Sequence, residues 1–316
     1  ICKSLDLPFK LSDFIWCDDF AAARNFNLAQ APDSEWMFWM DSDDILEHGE
    51  KLKDLVGRAS PNIGAIWLPY HYAFDDFGNC LTLFIRERLI RVAVGWHWKN
   101  RVHEILEPSA PTGFAKTQDC LIVHKHSGSY SRSERNFKLL DIMLKETPED
   151  KRVWLYMGHQ HFADGNWLEA SKWYLKFSSN KDVVQLEKFQ ALSYAARALR
   201  SMSDFQQALS CDITTLEMYP QWADGYVGMA QDYLAMGEYN KALHWALISQ
   251  DKGVPDEIIF INPLDYTFNC FATLSEAYLK LGDVGKSLEE LERAIALRPL
   301  KELQEHKALL QQAQLK

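Results

Sequence analysis

The second half of this chain repeats itself, and the repetition leaves few folds open to it. Trp154, Gly158, Gly165, Ala170 and Tyr174 stand at positions 4, 8, 15, 20 and 24 of one unit. Leu192, Ala196, Ala208 and Pro220 stand at 4, 8, 20 and 32 of the next. Tyr226, Ala230, Tyr233, Gly237 and Ala242 supply a third copy, and Phe271, Ser275, Tyr278, Gly282 and Pro299 a fourth. The position-20 residues Ala170, Ala208, Ala242 and Ser287 lie 38, 34 and 45 apart, a period of about 34 with two insertions. Small residues at positions 8 and 20 let two helices approach closely, and bulky ones at 4, 11 and 24 fill the space between units. A unit of this size cannot bury its apolar face alone, so the copies must stack.

This pattern resembles the tetratricopeptide repeat over residues 150–300. The resemblance implies an α-solenoid whose concave groove holds a peptide or protein. Trp154 and Tyr226, at position 4, are predicted to be core. Tyr156, Trp167, Trp173, Trp222 and Trp245 suit either core or groove. The Gln- and Leu-rich segment from Lys301 predicts a capping helix.

Ahead of Pro148 the pattern is different. Residues 1–19 are mixed, with Phe9, Leu11, Phe14, Ile15 and Trp16 as strand material. Phe20–Ala31 reads as a helix, capped by Asp18 or Asp19 and stopped by Pro32. A second helix is predicted around 49–59. Strands are predicted over 63–74 and 81–94, separated by a turn at 75–79, and over 119–126, followed by a helix at 131–145. The fold class is therefore α/β plus all-α, with a division between residues 1–147 and 148–316.

Three titratable clusters fall at ends of these strands. Trp36–Met40 is an apolar run that empties into Asp41, Asp43 and Asp44. Ligands gather outside the carboxyl ends of strands in open α/β sheets, and paired carboxylates suit Mg²⁺ or Mn²⁺. Alone, the triplet reads as well as an acidic turn. His103 with Glu104 reads alone as surface polarity on an edge, and one of His124 and His126 as a satisfied core histidine. Together the clusters predict a metal-assisted transfer site. The metal would neutralise charge on a diphosphate leaving group, and Glu104, flanked by aromatics, would deprotonate an acceptor hydroxyl.

Composition narrows the partners. A net charge of -10 argues against nucleic acid held by a general basic surface. Six dispersed cysteines without a C-x-x-C pair argue against a zinc site or a disulfide framework and suit a reducing compartment. No apolar run reaches the length of a membrane span. The expected location is cytoplasmic, or peripheral at the inner face of a membrane.

The order F-A-A-A-R-N-F-N-L-A followed by E-W-M-F-W-M-D-S-D-D resembles family-2 glycosyltransferases of the GT-A fold. Leu83-Phe84-Ile85-Arg86 and Trp98-Lys99-Asn100-Arg101-Val102-His103-Glu104 are similar to the "LFRR" and "W-x-G-R-V-H-E" stretches of the lipopolysaccharide-core branch, whose members often carry tetratricopeptide repeats. The resemblance implies a metal-dependent inverting transfer of a sugar from a nucleotide to a hydroxyl of a glycan, glycolipid or protein acceptor, in cell-envelope biogenesis. By position it implies Asp41, Asp43 and His124 or His126 at the metal, with Asp43 the more direct ligand. Arg24, Asn25, Asp41 and Asp44 would lie at the donor, Trp98, Arg101 and His103 at the acceptor, and Glu104 would be the base. Two departures stand out. Asn100 replaces an expected glycine, which predicts a loop of different shape. The family's opening β-α-β segment is absent and the chain starts at Ile1, which predicts an N-terminal truncation and an incomplete Rossmann-like sheet. The rival expectation is a tetratricopeptide interaction scaffold carrying an inactive glycosyltransferase remnant.

Overall fold

A computed structural model describes residues 10–30, 33–125 and 132–314 of the chain. The first part is a mixed sheet with short helices. In chain order its elements are α1 (Phe20–Leu28), β1 (Trp36–Phe38), β2 (Asp44–Glu47), α2 (Leu52–Gly57), β3 (Ile63–Phe74), β4 (Cys80–Arg91), β5 (Trp96–Lys99), β6 (Ile105–Pro108), β7 (Gly113–Lys116), β8 (Leu121–His124) and α3 (Arg132–Glu146).

The sheet runs β1-β4-β3-β8-β2, with β7 beside the start of β3. β1·β4, β3·β4 and β2·β8 are antiparallel, and only β3·β7 and β3·β8 are parallel. Among the described residues the sheet is thus chiefly antiparallel, and it does not display the doubly wound parallel core of a Rossmann-like domain. β3 is its centre. Ala65, Ile66, Leu68 and Tyr70 are all buried, so both faces are covered, as expected for an almost unbroken apolar run. On one face Ile66, Leu68, Tyr70, Phe84 and Ile122 pack with Leu55 of α2. On the other, Ala65 and Ile90 pack with Ala21 of α1 and with Trp98 and Leu106 of the β5–β6 hairpin.

Most predicted elements form near their expected bounds. α1 ends at Leu28, ahead of the expected Ala31, and its cap is Asp19, which accepts from Ala22 N–H at 2.9 Å. No strand forms over residues 10–19. The short strands β2, β5, β6 and β7 were not expected, because four residues carry too little alternation to stand out.

The second part is an array of antiparallel helix pairs: α4 (Lys151–Ala163) with α5 (Trp167–Ser178), α6 (Gln185–Ser201) with α7 (Phe205–Met218), α8 (Asp224–Ala235) with α9 (Tyr239–Ser249), and α10 (Phe268–Lys280) with α11 (Val284–Leu297). The predicted capping helix is α12 (Lys301–Gln314). Ala170, Ala208, Ala242 and Ser287 are all fully buried, as position 20 requires. At position 8, a Cβ on Gly158 would sit 2.7 Å from the Tyr174 ring, so the glycine is what lets α4 and α5 touch. Position 15 is left-handed in every copy. Gly165, Gly237 and Gly282 have φ of 72°, 79° and 86°, and Ser203 takes the same place at 63° without the freedom of a glycine. Tyr226 is buried, whereas Trp154 is half-buried, its Nε1 donating to Pro148 O and its ring lying under Lys176 Nζ.

Several contacts among the described residues fasten the array to the sheet. The insertion between α9 and α10 lays Ile261 against β4, with Leu83 and Ile261 exchanging two backbone bonds of 2.8 Å. The β3–β4 turn reaches the end of α11, where Arg298 pairs with Asp75 at 2.9 Å and Asn79 donates to Leu297 O. At the other end, Leu139, Leu140 and Met143 of α3 share a core with Val153 and Met157 of α4 and with Val102. The longest gap in the repeat period is therefore occupied by chain that serves the sheet.

Candidate functional site

The acidic site is built from α1, the segment after β1, the segment before β6, and the end of β8. α1 contributes Arg24 and Asn25. Asn25 uses both ends of its amide on the backbone of Trp98, donating to its carbonyl at 2.8 Å and accepting from its N–H at 2.7 Å. It works as a clamp between α1 and β5. Arg24 donates from Nη2 to Asp41 at 2.7 Å and from Nε to Glu104 at 2.5 Å. Residues 17 and 80 positions away in the chain thereby meet on one guanidinium. Burial acts to lower the Arg24 pKa, but Glu104 and Asp41 overcome it and raise it. The guanidinium also lies 5.0 Å from the Trp39 ring and 4.9 Å from that of Trp98.

Of the three acids, Asp44 is the one that goes inside. Its side chain is fully buried. It accepts from Tyr70 Oη at 2.7 Å and from the Asp41 N–H at 3.1 Å, and lies 3.1 Å from His124 Nδ1 and 3.2 Å from Arg88 Nη1. Burial and then the bond to Asp44 push the Tyr70 phenol up, so it stays a donor. Arg88 is wholly buried, lowered by burial and by neighbouring Arg86, and stacked 4.0 Å over Trp39 and 4.4 Å over Tyr70. Asp43 lies half-buried, with Oδ1 3.7 Å from His124 Nδ1. His124 is stacked on Tyr72 at 5.0 Å. His126 lies outside the described residues. One oxygen each of Asp43 and Asp44 and a ring nitrogen of His124 fall within 4.8 Å of one another, so these three could hold a cation. Asp44 would share it with Arg88, Tyr70 and a backbone N–H, which leaves that carboxylate little spare capacity.

The acceptor-side candidates separate. Trp98 is buried beside Trp39, with ring centres 4.8 Å apart. Arg101 pairs with Glu146 through bonds of 3.1 and 2.7 Å, which raises its pKa. His103 turns to the array: its ring stacks on Tyr156 of α4 at 4.1 Å, and Arg152 Nη2 lies 3.4 Å from its carbonyl oxygen. Burial, then the positive charges of Arg152, Arg86 and Arg135, push His103 down to about 3, so it is neutral near pH 7. Its φ of 54° is left-handed, a strained place for histidine that the array holds from both ring and carbonyl. Asn100 has a φ of 76°. It thus adopts a left-handed conformation that glycine favours, and asparagine is among the few side chains that tolerate it.

Sequence reasoning gave no site role to Arg86, Arg88, Trp39 and Tyr70, and it placed Tyr156 in the core or groove of the array and not beside His103. Arg86 Nη2 donates to Glu104 O at 2.8 Å and its guanidinium lies 5.1 Å from Trp39. The signal was present: Arg86-Glu87-Arg88 interrupts an apolar strand, and charges in a strand covered on both faces need buried partners.

In class, then, this is a protein with an array of antiparallel helix pairs and a mixed α/β unit that holds a buried acid–base cluster. Two of three comparisons with known proteins returned nothing: no protein-family model matches the chain, and no curated protein does. Among solved structures, the chain is similar to TTC0263, a tetratricopeptide protein of Thermus thermophilus, with 20% identity over 57% of this chain and 90% of that one, at a TM-score of 0.41. It is also similar to YrrB, described as a tetratricopeptide protein with an unusual peptide-binding site (15% identity, 55% and 82% coverage, TM-score 0.42). A third is MamA of Desulfovibrio magneticus RS-1 (14%, 52% and 86%, 0.43). TM-scores this low add nothing to what the helix pairs themselves show. Among the described residues no helix is long and apolar enough to cross a membrane.

Proposed function

We propose that this protein is an interaction scaffold whose helical array docks a protein partner, with a glycosyltransferase-like α/β unit fixed to it. The supporting observation is that the helix pairs stack side by side and, among the described residues, their inner helices leave a cleft open. His103 and Phe260 pack on Tyr156 and His159 at the α4 end, whereas α6, α8 and α10 line a polar cleft of about 120 Å³.

A second reading, metal-dependent inverting transfer of a sugar, is favoured by one specific observation. Arg24, assigned to the donor by resemblance, bonds both Asp41, assigned to the metal, and Glu104, assigned as base, and Asp43, Asp44 and His124 gather beside them. In that reading the acceptor oxygen bonds to the sugar's anomeric carbon, the bond from that carbon to the diphosphate oxygen breaks with its electron pair, and Glu104 takes the acceptor's proton. Arg24 would remain on Asp41 while Glu104 accepts that proton. A Mn²⁺ or Mg²⁺ ion held by Asp43 and His124, with Asp44 behind them, would supply charge neutralisation for the leaving diphosphate.

One experiment separates the two. Melting temperature is followed with uridine or guanosine diphosphate, with and without Mn²⁺, for the wild type and Asp43→Ala. A rise that needs both metal and diphosphate and vanishes in the variant supports transfer. No response leaves the scaffold as the function of the chain. If transfer is then detected, Glu104→Gln is expected to abolish it while the diphosphate response persists.

A further inference from the structure

The polar cleft of the array shares no residue with the acidic site and is built from an uneven set of charges. It lies between α6, α8 and α10 and the turn at Pro263–Tyr266. Arg197 bonds Asp265 and stands 3.9 Å from Asp224. Arg200 reaches Asp212 at 2.5 Å and Asp232 at 2.7 Å. Four carboxylates therefore meet two guanidiniums in a largely buried place, where unpaired charge is costly. Burial, and then Asp265, raises Asp224 to about 6, and burial holds Asp212 well above the usual carboxylate range.

Packing shows that the surplus is built in. Asp212 belongs to α7, on the outer row, yet its carboxylate lines the cleft. It passes directly over Gly228 of α8, where a Cβ would collide with the Asp212 carboxylate. Any other residue at 228 would close that path. An acidic cluster does not by itself indicate a ligand, but a second observation does. Ser193 of α6 lines the same void, is 7% exposed, and its Oγ has no hydrogen-bond partner. A buried hydroxyl left unpaired has both its O–H and its lone pairs unused, and the lone pairs can accept from a cationic donor that the carboxylates also attract.

We propose that this cleft binds an alkylammonium group, from a lysine side chain of a docked polypeptide or from a free amine, with Asp224, Asp265 and Ser193 as acceptors. An ammonium is compact and carries three donors, and it reduces the excess of negative charge. A carboxylate would instead have to compete for two arginines that are already paired. The inference deepens the scaffold reading by naming the chemistry a partner presents. Its probes are small molecules, so their failure would leave docking elsewhere on the array untouched.

The test uses the full chain and calorimetry, with n-butylammonium, the capped peptide Gly-Gly-Lys-Gly-Gly, its Nε-acetylated form and its glutamate counterpart. The lysine peptide or the amine is expected to bind at about 1 mM or tighter, with acetylation weakening the peptide at least about tenfold. A peptide tighter than the amine identifies a polypeptide source, and equal affinities identify a free amine. Asp224→Asn is expected to weaken binding by about tenfold, and Ser193→Ala, which leaves every ion pair in place, by roughly threefold. Should Asp224→Asn not fold, Ser193→Ala and the backbone amide shift of Gly228 on titration carry the test. Equal binding of the acetylated peptide, preference for glutamate, or no binding of either amine at tens of millimolar overturns the proposal.

Discussion

The helical array and the acidic site are encoded in opposite ways. Position 20 of each repeat is small because the adjacent helix passes over it, and that requirement is met within one unit of about 34 residues. The acidic site has no such local rule. Arg24 meets Glu104 across 80 positions, and Asp44 meets His124 across the same distance. The array is a sum of neighbour contacts, whereas the site is an agreement among distant segments. Single substitutions should therefore act locally in the array and collectively in the site.

The largest effect is expected at Asp44. Asp44→Ala leaves Arg88 buried without its carboxylate and removes the acceptor of Tyr70. Breaking a buried pair in this way costs about 3–5 kcal/mol. Urea unfolding followed by tryptophan fluorescence would measure it, and a loss below about 1 kcal/mol would mean that the cluster is not closed as described.

In the array, Gly158→Ala drives a methyl into the buried ring of Tyr174 at 2.7 Å. A cost of about 1–3 kcal/mol is expected from overpacking. Calorimetric melting would reveal it, and an unchanged Tm would show that α4 and α5 can part without penalty.

Acid acts with opposite sign on the buried histidines and on Asp224 of the array. His103 and His159 are pushed down to about 3 in the folded protein, below the 6.5 of the free side chain. Their contribution is full above pH 6.5 and is lost as pH falls toward 3, because the unfolded chain binds the extra protons. Asp224, raised from 3.8 to about 6, contributes the other way: its share is full below pH 3.8 and is lost as pH rises through 6. Stability measured from pH 7 down to 5 should therefore fall less in His159→Phe than in the wild type, and fall more in Asp224→Asn. Parallel profiles for all three proteins would refute the assignment.

The smallest effect is expected at Ser203, which stands where the turns within the other three helix pairs have a glycine. Ser203→Gly should stabilise by about 0.5–1 kcal/mol, since relief of the left-handed strain outweighs the freedom that the unfolded chain gains. Destabilisation in a denaturant titration would show that the serine side chain is needed there.

How far the sequence could be read follows from the same contrast. Ala170, Ala208, Ala242 and Ser287 announced the helix pairs because each reports on one neighbour. The long strands β3 and β4 were legible from their apolar runs, but β5 and β6 were not, since four residues in each hide among tryptophans and charges. At the site, the acids and His103-Glu104 stood out by type. Their arrangement did not, because burial decides it. Asp43 and Asp44 are adjacent and chemically alike, yet one is half-buried and the other is enclosed by Tyr70, Arg88 and His124. Arg88 went unread, and Arg86 was given no partner, although charged residues inside an apolar strand demand partners. The insertion that pairs Ile261 with Leu83 showed only as a lengthened period, since nothing in a repeat says where its extra residues go.

The central claim is that α1, the end of β1 and the segment before β6 close on one another through Arg24. A double-mutant cycle tests it directly, with Arg24→Met, Glu104→Gln and the double variant compared by urea unfolding. The pair is largely buried, at 23% and 10% side-chain exposure, and charge-assisted. A coupling of about 1–3 kcal/mol is expected. Additive costs, with coupling indistinguishable from zero, would mean that Glu104 and Arg24 do not meet and that the site is not assembled as described.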